Sequence, residues 1–166
     1  MTSWNLRLVD ANETSKSILA EFVENNWEGD NQPVTVLKAV YDNGTEIGGN
    51  DGLPKNVDEF DDLIDQIGKE DPNCIIRIKY WNSFPVHTDD VDEYDDYAEE
   101  FIYKKGEEVD NYCLPVLEAI ERLIEQDPDL GMRMKDNTCS DDDHDKAREI
   151  VDDWFDEAFE DLKEKL

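Results

Sequence analysis

The sequence predicts an α+β fold: a small three- or four-stranded sheet followed by a helical, acidic C-terminal half. Three observations carry this expectation. Residues 74–81, CIIRIKYW, set Ile76, Ile78 and Tyr80 against Arg77 and Lys79 in strict alternation, the period of a strand. Earlier runs at residues 3–9 and 34–41 are alternating or rich in β-branched residues, again a strand signal. From Ser140 the pattern changes to SDDDHDKAREIVDDWFDEAFEDLKEKL. Here Ala147, Ile150, Val151, Trp154, Phe155, Ala158, Phe159 and Leu162 recur at helical spacing, with carboxylates filling the other side of the same cylinder.

The elements follow in order. The first strand, residues 3–9, alternates Trp4, Leu6 and Leu8 with Asn5 and Arg7. Asn12 is a helix cap, and Ile18, Leu19, Phe22 and Val23 form the buried stripe of a helix to about Asn26. Residues 29–33 read as a loop, residues 34–41 as the second strand. Asp42-Asn43-Gly44 is a hairpin signal, with residues 45–47 returning and 48–54 as loop. A helix from Asn56 or Asp58 to about Lys69 turns Val57, Phe60, Leu63, Ile64 and Ile67 inward. Asp71-Pro72-Asn73 is the turn into the strand at 74–81.

Beyond Asn82 the composition becomes more acidic and the periodicity helical. Residues 89–103 read as a helix with Val91, Tyr94, Ala98, Phe101 and Ile102 inward, ended by Lys104-Lys105-Gly106. Residues 107–126 read as another helix, which starts late or kinks at Pro115. Residues 127–140 read as a loop with a brief extended piece at Met132–Met134, and residues 141–166 as the final helix. The organisation expected is a single compact domain, 1–166, with a seam near Asn82 between a mixed part (1–82) and a helical acidic part (83–166). No linker long enough to separate domains intervenes.

The net charge of -29 is the outlier. A small domain usually carries a charge of magnitude about 2–8. Four Trp and a 10% aromatic content argue for a folded chain rather than an acidic disordered tail. The sign excludes direct binding to nucleic acid, which needs a basic footprint, and opposes binding to anionic membranes. Cys74, Cys113 and Cys139 are odd in number and form no CxxC pair, so they read as free thiols of a reducing cytosol. Residues 1–10 carry no apolar signal core, and no run of about 20 apolar residues occurs, so a cytoplasmic protein is expected.

No motif for catalysis stands out. His87 and His144 lack partners at metal-ligand spacing. Ser140 or Cys139 near His144 matches no nucleophile pattern. Residues 48–52, GGNDG, lack the GK[ST] of a phosphate loop. Asp141, Asp143 and Asp145 match the first ligand positions of a calcium loop, but Lys146 stands where that loop needs Gly and Asp152 where it needs Glu. No carboxylate pair is singled out for glycoside chemistry. The expectation is therefore no enzyme, no cofactor and no metal.

The carboxylates themselves are the candidate site. One row lies on the final helix: Asp145, Glu149, Asp152, Asp153, Asp156, Glu157, Glu160, Asp161 and Glu164. A second lies on the expected helix at 89–103: Asp89, Asp92, Glu93, Asp95, Asp96, Glu99 and Glu100, followed closely by Glu107, Glu108 and Asp110. A smaller patch holds Asp58, Glu59, Asp61, Asp62 and Asp65. Carboxylates at i and i+4 stand about 5–6 Å apart, a spacing that approximates a phosphate backbone. Few Lys or Arg intervene, so pairing within a helix is not their purpose.

In composition, size and charge pattern the chain resembles the DNA-mimic inhibitors of bacteriophages and mobile elements, of the anti-restriction and anti-CRISPR type. The resemblance rests on no motif, so it transfers no functional residue. It implies a protein that occupies the basic groove of a nuclease, restriction enzyme or CRISPR effector in the host cytoplasm, without catalysis. A homodimer would lengthen its charge rows. Two other readings share the same charge. One is an immunity or antitoxin protein for a basic nuclease, anchored by aromatics such as Trp27, Tyr80, Trp81 or Tyr97. The other is a divalent-cation-binding acidic protein. Halophilic adaptation also produces such a surface.

Overall fold

The computed structural model describes residues 3–26, 36–41, 46–50, 60–82, 84, 91–92 and 95–166. The architecture is α+β. In chain order it runs β1 (Ser3–Val9), α1 (Glu13–Asn26), β2 (Val36–Tyr41), β3 (Glu46–Asn50), α2 (Asp61–Glu70), β4 (Ile75–Trp81), β5 (Asp96–Lys104), β6 (Glu107–Pro115), α3 (Val116–Gln126), α4 (Pro128–Lys135) and α5 (Asp141–Lys163). One sheet holds the described strands in the order β3-β2-β1-β4-β5-β6. β1 runs parallel to β2, and the pairs β1–β4, β2–β3 and β4–β5 are antiparallel. Two compact units result: Met1–Ser83 with Ala98–Cys113, and Phe84–Tyr97 with Leu114–Leu166.

In the first unit the alternation of β1 and β4 decides which side chains meet. Leu6 lies opposite Ile78 and Leu8 opposite Ile76, and all four are buried. They pack with Ile18 and Leu19 of α1 and with Phe60, Leu63, Ile64 and Ile67 at α2. α1 starts where Asn12 predicts: its Oδ1 accepts the Ser15 N–H at 2.9 Å. One buried carboxylate then ties this helix end to a distant turn. Asp71, 6% exposed, accepts the Asn12 N–H at 2.8 Å and the Ser15 hydroxyl at 2.9 Å through the same Oδ2. The helix start thus receives an anion from within the chain, where its unpaired N–H groups favour one.

The opposite face of β4 is not a solvent face. Arg77, Lys79 and Glu100 are 4%, 5% and 1% exposed. Arg77 donates from Nε and Nη2 to the two oxygens of Glu100, at 2.9 and 3.2 Å. Lys79, directly across from Glu100, places Nζ 3.5 Å from Oε2 and 5.7 Å from the Trp81 ring.

Five expectations are corrected here. The helix expected over 89–103 is absent from its described part: residues 96–104 form β5. Ala98, Phe101 and Ile102 fit a helical stripe, but their strand is buried on both faces, with Tyr97, Ala98, Glu100, Ile102 and Tyr103 all covered. Burial on both faces removes the alternation by which a strand is recognised. Lys104-Lys105-Gly106 is accordingly not a helix end. Lys105 and Gly106 have φ of 56° and 78°, the two positive values of a type I′ hairpin turn joining β5 to β6. The helix expected over 107–126 is β6 followed by α3; Pro115, with φ -63° and ψ 150°, sits just before the first helical turn. Among the described residues the sheet holds six strands, against the three or four expected. Residues 48–50, expected as loop, belong to β3. The expected loops at 29–33 and 51–54, the Asp42-Asn43-Gly44 turn and the helix start at Asn56 or Asp58 lie outside the described residues.

In the second unit α3 and α4 pack closely. α4 replaces the loop expected over part of 127–140: Asp127 caps it by accepting the Leu130 N–H at 3.3 Å, and Pro128 stands in its first turn. Leu123, Leu130, Met134 and Ala147 form the core, with Phe84, Cys139, Ile150 and Trp154 packed against it.

Two predictions follow from these contacts. Gly68 and Gly131 are helical, where Ala is intrinsically better by about 1 kcal/mol. A Cβ at Gly68 would strike the Gly106 backbone nitrogen, and one at Gly131 the Ile124 backbone. Contact with backbone decides the sign: each Gly→Ala change lowers stability, by about 1–3 kcal/mol, measured as a shifted denaturation midpoint. Glu100→Ala leaves two buried cations without their shared anion and lowers stability by about 3–5 kcal/mol. The triple change Arg77→Met, Lys79→Leu, Glu100→Met recovers most of that loss in the same unfolding measurement.

Candidate partner-binding surface

α5 begins at a doubly fastened end. The Ser140 hydroxyl accepts the Asp143 N–H at 3.2 Å, and the Asp143 carboxylate accepts the Ser140 N–H at 3.1 Å. This is a capping box with Asp in the usual Glu position. Arg133 of α4 donates to both oxygens of the same carboxylate at 3.0 Å. Asp141, Asp142 and Asp143 in the first turn complement the helix dipole. Both Asp143 oxygens are thus engaged, which removes it from the calcium-loop pattern.

The inner side of α5 buries Ala147, Val151, Phe155 and Phe159. Trp154 flanks it half-buried. Its indole N–H donates to Gln126 at 3.0 Å, and Arg122 stacks 5.5 Å from its ring. The outer arc is carboxylate. Asp145, Glu149, Asp153, Glu157, Glu160, Asp161 and Glu164 are exposed; Asp152 and Asp156 are half-buried at its margin. Asp153, Asp156, Glu157, Glu160 and Asp161 surround one shallow depression.

The cations of α5 mostly turn elsewhere. Lys146 reaches Asp127 at 3.4 Å. Arg148 hydrogen-bonds Tyr97, whose hydroxyl is pushed up from its usual range by burial and by the nearby Asp152, against the lowering effect of Arg148. At 1.5 Å rise per residue, the segment from Asp145 to Asp161 presents roughly one carboxylate per 3 Å of axis.

The second expected row has a different fate. Asp89 and Glu93 lie outside the described residues, as do Asp58 and Glu59 of the third patch. Asp92 and Asp95 are exposed but lie outside any described helix or strand, and the Asp95 carboxylate serves the backbone, accepting the Asp92 N–H at 2.9 Å. Asp96 and Glu99 are half-buried on β5. Glu100 is a correction: it is buried beneath Arg77 and Lys79 and is not available to a partner. Asp61, Asp62 and Asp65 are exposed on α2. The aromatic anchors of the immunity-protein reading fare poorly as well: Trp81 and Tyr97 are 2% and 1% exposed, Tyr80 is half-buried, and Trp27 lies outside the described residues.

One juxtaposition pairs the residues that match no catalytic pattern. Cys139 Sγ lies 3.3 Å from His144 Nε2, and the His144 ring packs 5.7 Å from Phe84. Burial raises the Cys139 thiol above its usual range, with Asp143 adding to the effect, which favours the protonated form over an activated thiolate. No described helix is long and apolar enough to cross a membrane.

The Asp143 clamp gives a titration with a defined sign. The Arg133 hydrogen bonds, then the Ser140 N–H, lower the carboxyl to about 2, against about 3.9 in an unfolded chain. A depressed folded value stabilises the protein above the unfolded value, and this contribution is lost as pH falls through the interval from 3.9 to about 2. Carboxyl NMR resolves Asp143 titrating near 2, and Arg133→Ala moves that midpoint up toward 3.9.

No protein-family model, curated protein or solved structure matches the chain.

Proposed function

We propose that the protein is an acidic mimic of a nucleic-acid backbone, which inhibits a DNA-binding or defence enzyme of the restriction or CRISPR type by filling its basic groove. The observation that carries this reading is the outer arc of α5. It combines high carboxylate density, few local cations and a scaffold held at one end by the capping box and Arg133, and along its length by Phe155 and Phe159. A flexible acidic tail would have to order itself on binding; this helix does so beforehand, which lowers the entropic cost of association.

Charge density decides which feature is imitated. B-DNA carries one phosphate per 3.4 Å along each strand and one per 1.7 Å for the duplex. The α5 arc, at roughly one carboxylate per 3 Å, matches a single strand's density and about half that of a duplex. The face of α5 therefore stands in for one phosphate row, read by a matching row of Arg and Lys in the target. Association is fast through electrostatic steering and weakens steeply with salt.

The test is competition. The protein displaces duplex DNA from the target enzyme at low salt. Joint Lys replacement of Asp153, Asp156, Glu157 and Glu160 reduces inhibition by more than about 100-fold, whereas any single one changes it less than about tenfold. Unchanged inhibition by the quadruple variant, with its helical circular dichroism intact, excludes this face.

A further inference from the structure

We propose that the outer edge of β6 takes up an extended, Lys- or Arg-rich segment of a partner protein as an added strand. The proposal does not depend on the reading of α5.

β6 ends the sheet, and among the described residues no strand lies beyond it. The turn at Lys105 and Gly106 sets which of its backbone groups face outward. In a two-residue type I′ hairpin the flanking residues, Lys104 and Glu107, form a hydrogen-bonded pair, so the N–H and C=O of Glu108 point away from β5. Glu107, Glu108 and Val109 are consecutive and all exposed, so both faces of the strand are open at this end. Val109, at 39% exposure, supplies an apolar contact for a β-branched residue on an incoming strand.

Charge selects the occupant. Glu107, Glu108 and Asp110 line this stretch in a chain of net charge -29. A second copy would bring the same acids and the same net charge to the contact, and acidic residues on an edge strand are a known guard against such self-pairing. A basic segment meets attraction instead. Backbone pairing supplies the affinity in this mode, and alternate side chains supply the choice of sequence.

The experiment uses the full chain and an octapeptide of alternating Lys and Val. Amide exchange and chemical shifts are followed by NMR at low salt. The expected result is slowed exchange at the outward-facing amide of Glu108, with cross-strand contacts to the peptide. Glu108→Pro, which removes the outward N–H, weakens the peptide by about tenfold. If that variant fails to fold, the pair Glu107→Lys and Glu108→Lys decides, by reversing preference toward a Glu–Val peptide. Peptide-induced shifts confined to Asp153–Asp161 overturn the β6 proposal while leaving the α5 reading intact. An unchanged affinity in both variants overturns it too, as does a self-dimer that Glu108→Pro converts to monomer.

Discussion

Arg77 and Lys79 hold Glu100 in the interior of a chain that has 16 basic side chains against 45 carboxylic ones. Such scarcity is the constraint on which the rest depends. Each cation placed inside is one fewer on the surface to offset self-repulsion, and burying charge costs several kcal/mol per ion before pairing repays it. The placement is nevertheless made, and it aligns β4 with β5: Lys79 and Glu100 face each other across the ladder, and a slip by one residue would send Glu100 to the apolar face of Ile76 and Ile78. Elsewhere the basic residues again occupy junctions. Arg133 joins α4 to α5, Arg122 covers Trp154, and Lys146 reaches back to Asp127. The cations hold the fold, and the outer arc of α5 is left to its carboxylates.

How much of this is legible in the sequence depends on whether an element has one wet side. α5 does, and its period gives it away; β1 keeps its period because the half-buried Asn5 and Arg7 alternate with apolar residues. α1 adds a local signal, since Asn12 caps it through its own side chain. β5 has no wet face, so its apolar residues fit a 3.6 period as readily as a 2.0 period, and Lys104-Lys105-Gly106 serves a helix end and a hairpin turn equally well. α4 is short and has Gly131 at its centre, which weakens any periodic reading; its signal is the Asp127-Pro128 start. The role of Asp71 is not legible at all, because it joins residues 56 and 59 positions apart in the chain.

The same reasoning applies to the candidate surface. The exposure of the α5 carboxylates is legible from spacing, because a helix converts spacing into direction without help from the rest of the fold. Glu100 is misread for the opposite reason: an acid letter carries no information about burial until its strand neighbours are known. A usable signal was present in CIIRIKYW. Two cations at i and i+2, on a strand whose other face is Ile, demand a buried anion on the adjoining strand, and an acid within the DYAEEFIYK run is the natural supplier.

In the proposed role the arc acts as a unit. Its carboxylates stand closer together than the Debye length, about 8 Å at physiological ionic strength, so a partner senses their summed field rather than any one of them. Removing one charge from such a row changes the field slightly, whereas removing a buried, uniquely bonded group such as Glu100 changes the structure. The two acids therefore differ in kind despite identical chemistry. Glu100 acts through two specific contacts in a dry site, where geometry decides. In the proposed role Glu157 or Glu160 acts through density in water, where number decides. A surface of the second kind tolerates single substitutions and selects a partner by the spacing of its cations, which is how a phosphate backbone is itself recognised.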